Sequence, residues 1–389
     1  MENDIKFLRI QNFKSIKDIT LHPRRVNLII GEPNVGKSNL LEAMTLLGGI
    51  TYEQTEKFMG SFIRYEEPRQ LFYDNLVGNT IKVETDRDVA ALFFNKDTML
   101  FEFLLCNADN YKEIIKSFPG PIKTSLPLST EIKIMMNWFS NERETGTKNN
   151  KPALRFSLIE FDADTLPRTS KKARGMRWLG KRLNTFFRAY TFQKKAAING
   201  NSGTEFLSIP HGENLIEVIQ THSKLRKEIA QMFERYGQKL RIDERRLEII
   251  KDQDGIIYSY PYSSVADTLQ RIIFYLAAIE SNDDAVLLFE EPEAHSFPVY
   301  VSKLGRRIVE SRNNQFFSDT HSPYLITEIL ETMLPDDGQA GELAMFAAYY
   351  EDHQTKVHQL SDEEIRSIRA DGIDVFYNMK RFTTGAADA

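Results

Sequence analysis

Three short stretches hold side chains whose types and spacing could do chemistry. The first is Gly31-Glu-Pro-Asn-Val-Gly36-Lys37-Ser38, which fits GxxxxGK[ST] without a mismatch. In such a stretch the glycines let the backbone wrap phosphate oxygens, and amides at a helix start bind the anion. Gly31, Asn34, Val35, Gly36, Lys37, Ser38 and Asn39 are therefore the candidate phosphate-loop residues. Lys37 would reach the β- and γ-phosphates, and the Ser38 hydroxyl would ligate Mg²⁺. The second stretch is Glu290-Glu291-Pro292, two carboxylates just past the apolar run Ala285-Val-Leu-Leu-Phe289. Hydrolysis of an adenine nucleotide needs one carboxylate near the ion and a second group that orients or deprotonates water. Glu290 takes the metal side and Glu291 is the natural general base. The third is His321, thirty residues past Glu291 and beyond the apolar run Asn314-Gln-Phe-Phe317. It could contact the γ-phosphate and sense its loss; by itself it reads more readily as a satisfied loop histidine.

These residues need elements to hold them. Val26-Asn-Leu-Ile-Ile30 runs into Gly31 and suits a buried central strand, and residues 38–47 have helical composition and spacing. Ile5 to Ile10, Ile19 to Leu21, 80–85, 285–289, 314–317 and 342–360 read as further strands. Helical patterns at 264–280 and 298–312 flank the acidic pair. Strands alternating with helices at both ends indicate an α/β sheet. The middle differs, with polar loops, a basic aromatic stretch and a charged stretch at 222–249 expected as a long amphipathic helix. The expected organisation is 1–90 as the N-terminal part of a head, 91–250 as a mainly helical insertion forming a short arm, and 251–389 as the C-terminal part of the head.

Composition is that of a globular protein: 389 residues, 41% hydrophobic and 27% charged, with a net charge of −5. A single cysteine, Cys106, excludes an internal disulfide and a cysteine-rich zinc site. No apolar run approaches the ~18–20 residues of a membrane span, and the acidic N-terminus does not read as a signal peptide, so the expected location is the cytoplasm. The mild acidity is unevenly distributed. Residues 168–195 carry ten Lys and Arg with no Asp or Glu, so the other 361 residues carry −15. Trp178, Phe186, Phe187, Tyr190 and Phe192 are interleaved among these charges. Such a stretch could neutralise phosphates and stack on bases, meet an acidic protein, or form a solvated face whose aromatics are core.

Taken together, the motifs resemble the P-loop ATPase heads of the ABC class, in the branch that includes RecF, SMC and the OLD ATPases. Leu8-Arg-Ile-Gln-Asn-Phe-Lys-Ser15 looks like their first strand and turn, and residues 31–43 like their Walker A segment. Residues 287–298 resemble the Walker B segment and D-loop, and 318–326 the histidine switch. The resemblance implies ATP and Mg²⁺ as cofactors, with Lys37 and Ser38 as nucleotide and Mg²⁺ ligands, Glu291 as general base and His321 as the switch. It also implies that ATP clamps two heads into a homodimer or higher oligomer. Three departures stand out. Glu290 replaces the usual aspartate, and Ser264-Val265-Ala266-Asp267 stands where the Leu-Ser-Gly-Gly signature would fall. The Q-loop glutamine has only Gln70 as a weak counterpart. These departures imply slow turnover.

Two functions follow as expectations. In one, the chain is the sensor or scaffold for a separate effector, a nuclease or toxin, in bacterial phage defence; similar stand-alone ATPases occur in systems such as PARIS. In the other, it binds DNA directly as a RecF- or SMC-like repair ATPase. Only 68 residues follow His321, without an acidic nuclease constellation, so a nuclease is expected on another chain.

Overall fold

The computed structural model describes residues 1–48, 57–96, 99–116, 156–161, 177–180, 186–194, 204–243 and 246–383. Its strands are β1 (Leu8–Phe13), β2 (Ile16–Leu21), β3 (Val26–Gly31), β4 (Ile81–Thr85), β5 (Asp88–Asn95), β6 (Leu100–Asn107), β7 (Phe156–Phe161) and β8 (Arg177–Gly180). They continue with β9 (Phe187–Tyr190), β10 (Gln238–Asp243), β11 (Arg246–Gln253), β12 (Ile256–Pro261), β13 (Val286–Glu290), β14 (Gln315–Asp319), β15 (Leu343–Glu351) and β16 (Gln354–Gln359). The helices are α1 (Lys37–Thr45), α2 (Ala108–Lys116), α3 (Leu215–Thr221), α4 (Ser223–Glu234) and α5 (Asp267–Ser281). After them come α6 (Pro298–Glu310), α7 (Pro323–Met333), α8 (Asp337–Ala340), α9 (Asp362–Ala370) and α10 (Met379–Thr383).

The central sheet runs β16-β15-β3-β14-β13-β9, parallel throughout except for β16. All six residues of β3 are buried. Val26, Leu28 and Ile30 face the core under α5, α6 and α7, while Ile29 faces the opposite core with α1. This period-two division explains why the strand reads as a continuous apolar run: a parallel strand covered on both faces has no solvent side. Each fully buried aliphatic side chain there stabilises the fold by about 1.5–3 kcal/mol.

The second sheet, β2-β1-β4-β5-β6-β7-β8, is antiparallel. Ile10, Val83, Ala90 and Phe103 from it pack with Leu40 and Met44 of α1 in one core. The chain is thus an α/β protein with α1 between two sheets and α3 to α7 in the core on the far side of the central one. Of the middle expected to be mainly helical, residues 117–155, 162–176, 181–185 and 195–203 lie outside the described residues. Residue 91 falls inside β5, β5 to β8 extend the N-terminal sheet, and β9 forms the edge of the central one. The stretch 222–249 is not one helix. α4 stops at Glu234, Gly237 turns the chain at φ 64°, and β10 and β11 follow as a hairpin. Leu240 and Ile242 of β10 alternate with charged neighbours and pack on the core from one face, a period of two that no helix sustains.

Candidate active site

Parallel strands place their carboxyl ends side by side, and the chemistry-bearing residues collect there. Ile29, Asp319 and Glu290 form one row across β3, β14 and β13. Two residues beyond Ile29, the chain enters the loop 31–36 and then α1. Gly36 sits at φ 94°, and the loop is held from both sides. Thr355, after the β15–β16 turn, donates from Oγ1 to the Val35 carbonyl at 2.8 Å and lies 2.6 Å from Ser15 Oγ. Asn39 Nδ2 donates to the same Ser15 oxygen at 2.7 Å. The Asn39 carboxamide therefore secures the loop, while Asn34, at φ 64°, is exposed and Val35 is buried.

Lys37 is buried, and its Nζ donates to the carbonyls of Gly31 and Glu32 at 2.9 and 2.7 Å. Burial lowers its pKa against the opposing pull of Asp319 and Glu291. Ser38 Oγ faces Asp319 Oδ2 at 3.4 Å. Asp319 has no exposed surface, and its Oδ1 accepts the backbone N–H of Glu291 at 2.8 Å. Burial, then the charges of Glu290, Glu291 and Glu293, pushes its carboxyl up to about 8. Pinned by that bond, Glu291 lies in the left-handed region at φ 39°, a conformation that costs a non-glycine residue about 1–3 kcal/mol and collects at functional sites. Its half-exposed carboxylate lies 3.5 Å from His321 Nε2. Burial and the nearby Lys37 lower the His321 pKa, with Glu291 acting against them.

Glu290 is engaged elsewhere. Its Oε1 meets Arg64 Nη2 at 2.8 Å, and the same guanidinium donates from Nε to Glu42 at 2.8 Å. Lys14 completes the group on the other side of Glu42. Glu293 is a further buried carboxylate. Its Oε1 accepts from Thr320 Oγ1 at 2.6 Å and from the His321 N–H at 2.8 Å, while its Oε2 has no partner. Burial raises its pKa. Glu293 thus fixes the backbone that presents His321.

Lys37, Ser38, Glu290, Glu291 and His321 are accordingly close together. Gln70 is not free for a Q-loop role, because its Oε1 accepts the backbone N–H groups of Glu66 and Glu67 and caps a 3-10 turn. In the signature-like segment, Ser264 donates to the Pro261 carbonyl at 2.7 Å and Thr268 to the His295 carbonyl at 3.1 Å. Val265, Ala266 and Leu269 line a 790 Å³ cleft with Tyr236, Tyr260 and Phe297. Asp319, Arg64, Glu42 and Glu293 escape sequence reasoning; of these only Asp319 carries a local signal, a carboxylate at a strand end two residues before the singled-out histidine.

Most of the basic stretch 168–195 lies outside the described residues. In its described part Phe187 and Tyr190 are buried core residues, and Arg271 stacks over Phe192 at 4.8 Å. Arg188 bonds Asn282 and lies 3.5 Å over the Phe206 ring, and Lys194 lies 3.9 Å from Asp267. Arg188 and Lys194 thus serve the fold, and the side chains of the other eight basic residues of the stretch lie outside those described. Among the described residues no helix is long and apolar enough to cross a membrane.

Residues 26–327 match the family described as "AAA domain, putative AbiEii toxin, Type IV TA system". The chain belongs to this family. Its AAA domain agrees with the P-loop ATPase that the motifs implied. No curated protein matches it significantly. Among solved structures, an SMC head bound to the C-terminal winged-helix domain of ScpA matches at 14% identity and TM-score 0.46, covering 94% of this chain and 99% of that one. The SMC head domain from Thermotoga maritima matches at 10% identity and TM-score 0.37, covering 92% and 99%. The Smc head of Pyrococcus furiosus, bound to the C-terminal domain of ScpA, matches at 13% identity and TM-score 0.42, covering 94% and 98%.

Proposed function

We propose that the chain is a switch that binds ATP with Mg²⁺, hydrolyses it slowly and pairs with a second copy while ATP is bound. The observation that carries this reading is the convergence of Lys37, Ser38, Glu291 and His321 at the ends of β3, β13 and β14. The donor set fits the nucleotide: loop amides open into α1, a buried ammonium lies beside them, and a hydroxyl faces carboxylates. Ser38 would hold Mg²⁺ together with carboxylates at the strand ends, of which Glu290 is the one the sequence singles out. The bound ion would neutralise charge on the phosphates. Lys37 would exchange its two loop carbonyls for phosphate oxygens. Glu291 would take a proton from water, and His321 would donate from Nε2 to the terminal phosphate.

Slow turnover is inferred from the signature-like segment, where Val265 offers no hydroxyl and those of Ser264 and Thr268 are bonded to backbone carbonyls. In this reading ATP stabilises the paired state by binding it preferentially, and hydrolysis releases it. The output would pass to a separate effector in a cytoplasmic defence or toxin–antitoxin setting. The family description, with its putative toxin of a type IV system, supports that class over direct DNA repair. The test is Glu291→Gln protein with ATP and Mg²⁺ on size exclusion with light scattering. A doubling of mass with ATP and none with ADP is expected. A monomer mass with bound ATP would sink the switch.

A further inference from the structure

The residue that usually takes the metal side in such a loop sits at the end of β13, and here it is Glu290. Its charge is already met. Arg64 holds Glu290 at 2.8 Å, and the methylene that distinguishes Glu from Asp lets the carboxylate reach that guanidinium. The neighbouring position on β14 holds the shorter acid, Asp319, directly beside β3 and the phosphate loop.

Asp319 is a fully buried carboxylate that forms no direct ion pair. Among the described residues no Lys or Arg nitrogen lies within 4.0 Å of it, and its Oδ1 is occupied by the Glu291 N–H. Its Oδ2 faces only the Ser38 hydroxyl, at 3.4 Å. That separation is long for an O–H···O bond, which falls at about 2.5–3.0 Å. It exceeds by the same few tenths of an ångström the spacing of two ligands of one ion. Two oxygens on adjacent corners of a Mg²⁺ octahedron, each about 2.1 Å from the ion, lie roughly 3.0 Å apart, and opposite corners roughly 4.2 Å. The pair is spaced to take one ion between adjacent ligands with a shift of a few tenths of an ångström. A second buried acceptor, Glu293 Oε2, also lacks a partner. Among the described residues no three His, Cys, Asp or Glu side chains converge on one point. That suits an ion that arrives with the nucleotide and is completed by phosphate oxygens and water, not a resident metal.

We propose that Asp319, with Ser38, is the inner carboxylate for the nucleotide-borne divalent cation, and that Glu290 is tied to Arg64 outside that position. By accepting the Glu291 N–H, Asp319 also couples ion binding to the backbone of the proposed base. The assignment rests on the nucleotide reading above and refines which residue meets the ion.

The test uses the full-length protein, a non-hydrolysable ATP analogue and Mn²⁺ followed by electron paramagnetic resonance. Asp319→Asn keeps the shape and an acceptor for the Glu291 N–H, so folding is checked by an unchanged circular dichroism spectrum and by analogue binding in EDTA. Mn²⁺ affinity of the analogue complex is expected to fall at least tenfold in Asp319→Asn and less than threefold in Glu290→Gln. Retention of affinity in Asp319→Asn overturns the assignment, and so does an equal or larger loss in Glu290→Gln. If the wild-type protein fails to bind the analogue at all, the nucleotide reading fails and takes this assignment with it. Binding of the analogue with an unaffected Asp319→Asn variant sinks the assignment alone.

Discussion

A methyl group at Gly36 tests how the phosphate loop is held. A Cβ there would lie 2.2 Å from Thr355 Oγ1 and 2.8 Å from Ser15 Oγ, with the backbone at φ 94°. Neither oxygen can move freely. Thr355 is 1% exposed and bonds the Val35 carbonyl, and Ser15 bonds both Thr355 and Asn39. The left-handed backbone costs a residue with a Cβ about 1–2 kcal/mol, and overpacking adds about 1–3 kcal/mol. Gly36→Ala should therefore lose about 2–5 kcal/mol in total if the loop keeps its shape. For a chain of this length that is a melting shift of about 2–6 °C. If the loop relaxes instead, the loss moves into nucleotide binding, where about 2 kcal/mol is already ~30-fold. Adding Thr355→Ala removes the closest contact and should recover the steric part while leaving the backbone part. Thermal unfolding and titration with a fluorescent ATP analogue measure both arms. A Gly36→Ala protein that melts within 1 °C of wild type and binds within threefold would refute the clamp.

Two further perturbations probe the surroundings of the site. Glu42 is buried between Lys14 and Arg64, so Glu42→Ala leaves the half-buried Lys14 ammonium with the Arg64 carbonyl but no counter-charge and should cost about 3–5 kcal/mol in urea unfolding; adding Lys14→Met should restore more than half, and a single-variant loss under 1 kcal/mol would contradict the pairing. Asp88 is pushed up to about 6 by burial, so the folded state holds its proton more tightly than the unfolded state does. Stability from this group is present below about pH 4 and is lost as pH rises through 6. Asp88→Asn should accordingly stabilise the protein by about 1–3 kcal/mol at pH 8, with the gain vanishing near pH 4. A pH-independent difference between the two proteins would exclude this cause.

The legible parts of the fold were those whose signal is local. β3, β13 and β14 lie buried in parallel pairing, so each reads as an apolar run, and Gly31 and Pro292 mark where two of them stop. The 222–249 stretch misled because Leu225, Ile229 and Phe233 do follow a helical period, and the charges continue past it unchanged. What changes at Gly237 is the period, from four to two. Charge density carries no information about that change, whereas the alternation Lys239-Leu-Arg-Ile-Asp243 does. Two described residues of the basic stretch show a related effect. Composition counts Arg188 and Tyr190 as surface chemistry, while β9 places Phe187 against one core and Tyr190 against the other.

The site divides along the same line. Lys37, Ser38 and Glu291 are readable because loop and strand fix their positions within a few residues of the motif. Arg64 and Asp319 are not, because their significance lies in pairings 226 and 281 residues apart along the chain. Those two pairings answer each other. A glutamate at the end of β13 is tolerable there because Arg64 supplies its counter-charge, and that leaves the place beside Ser38 to the acid on β14. If so, the two positions are coupled. Asp319→Asn should be rescued in Mn²⁺ affinity by Arg64→Ala, which frees Glu290 to swing toward Ser38, and Arg64→Ala alone should leave the affinity of the wild-type acid pair within about threefold. An additive cycle, in which the double variant binds Mn²⁺ no better than Asp319→Asn, would mean that Glu290 cannot reach the ion even when released. The departure from aspartate at position 290 would then be a fixed feature of the site and not one half of an exchange.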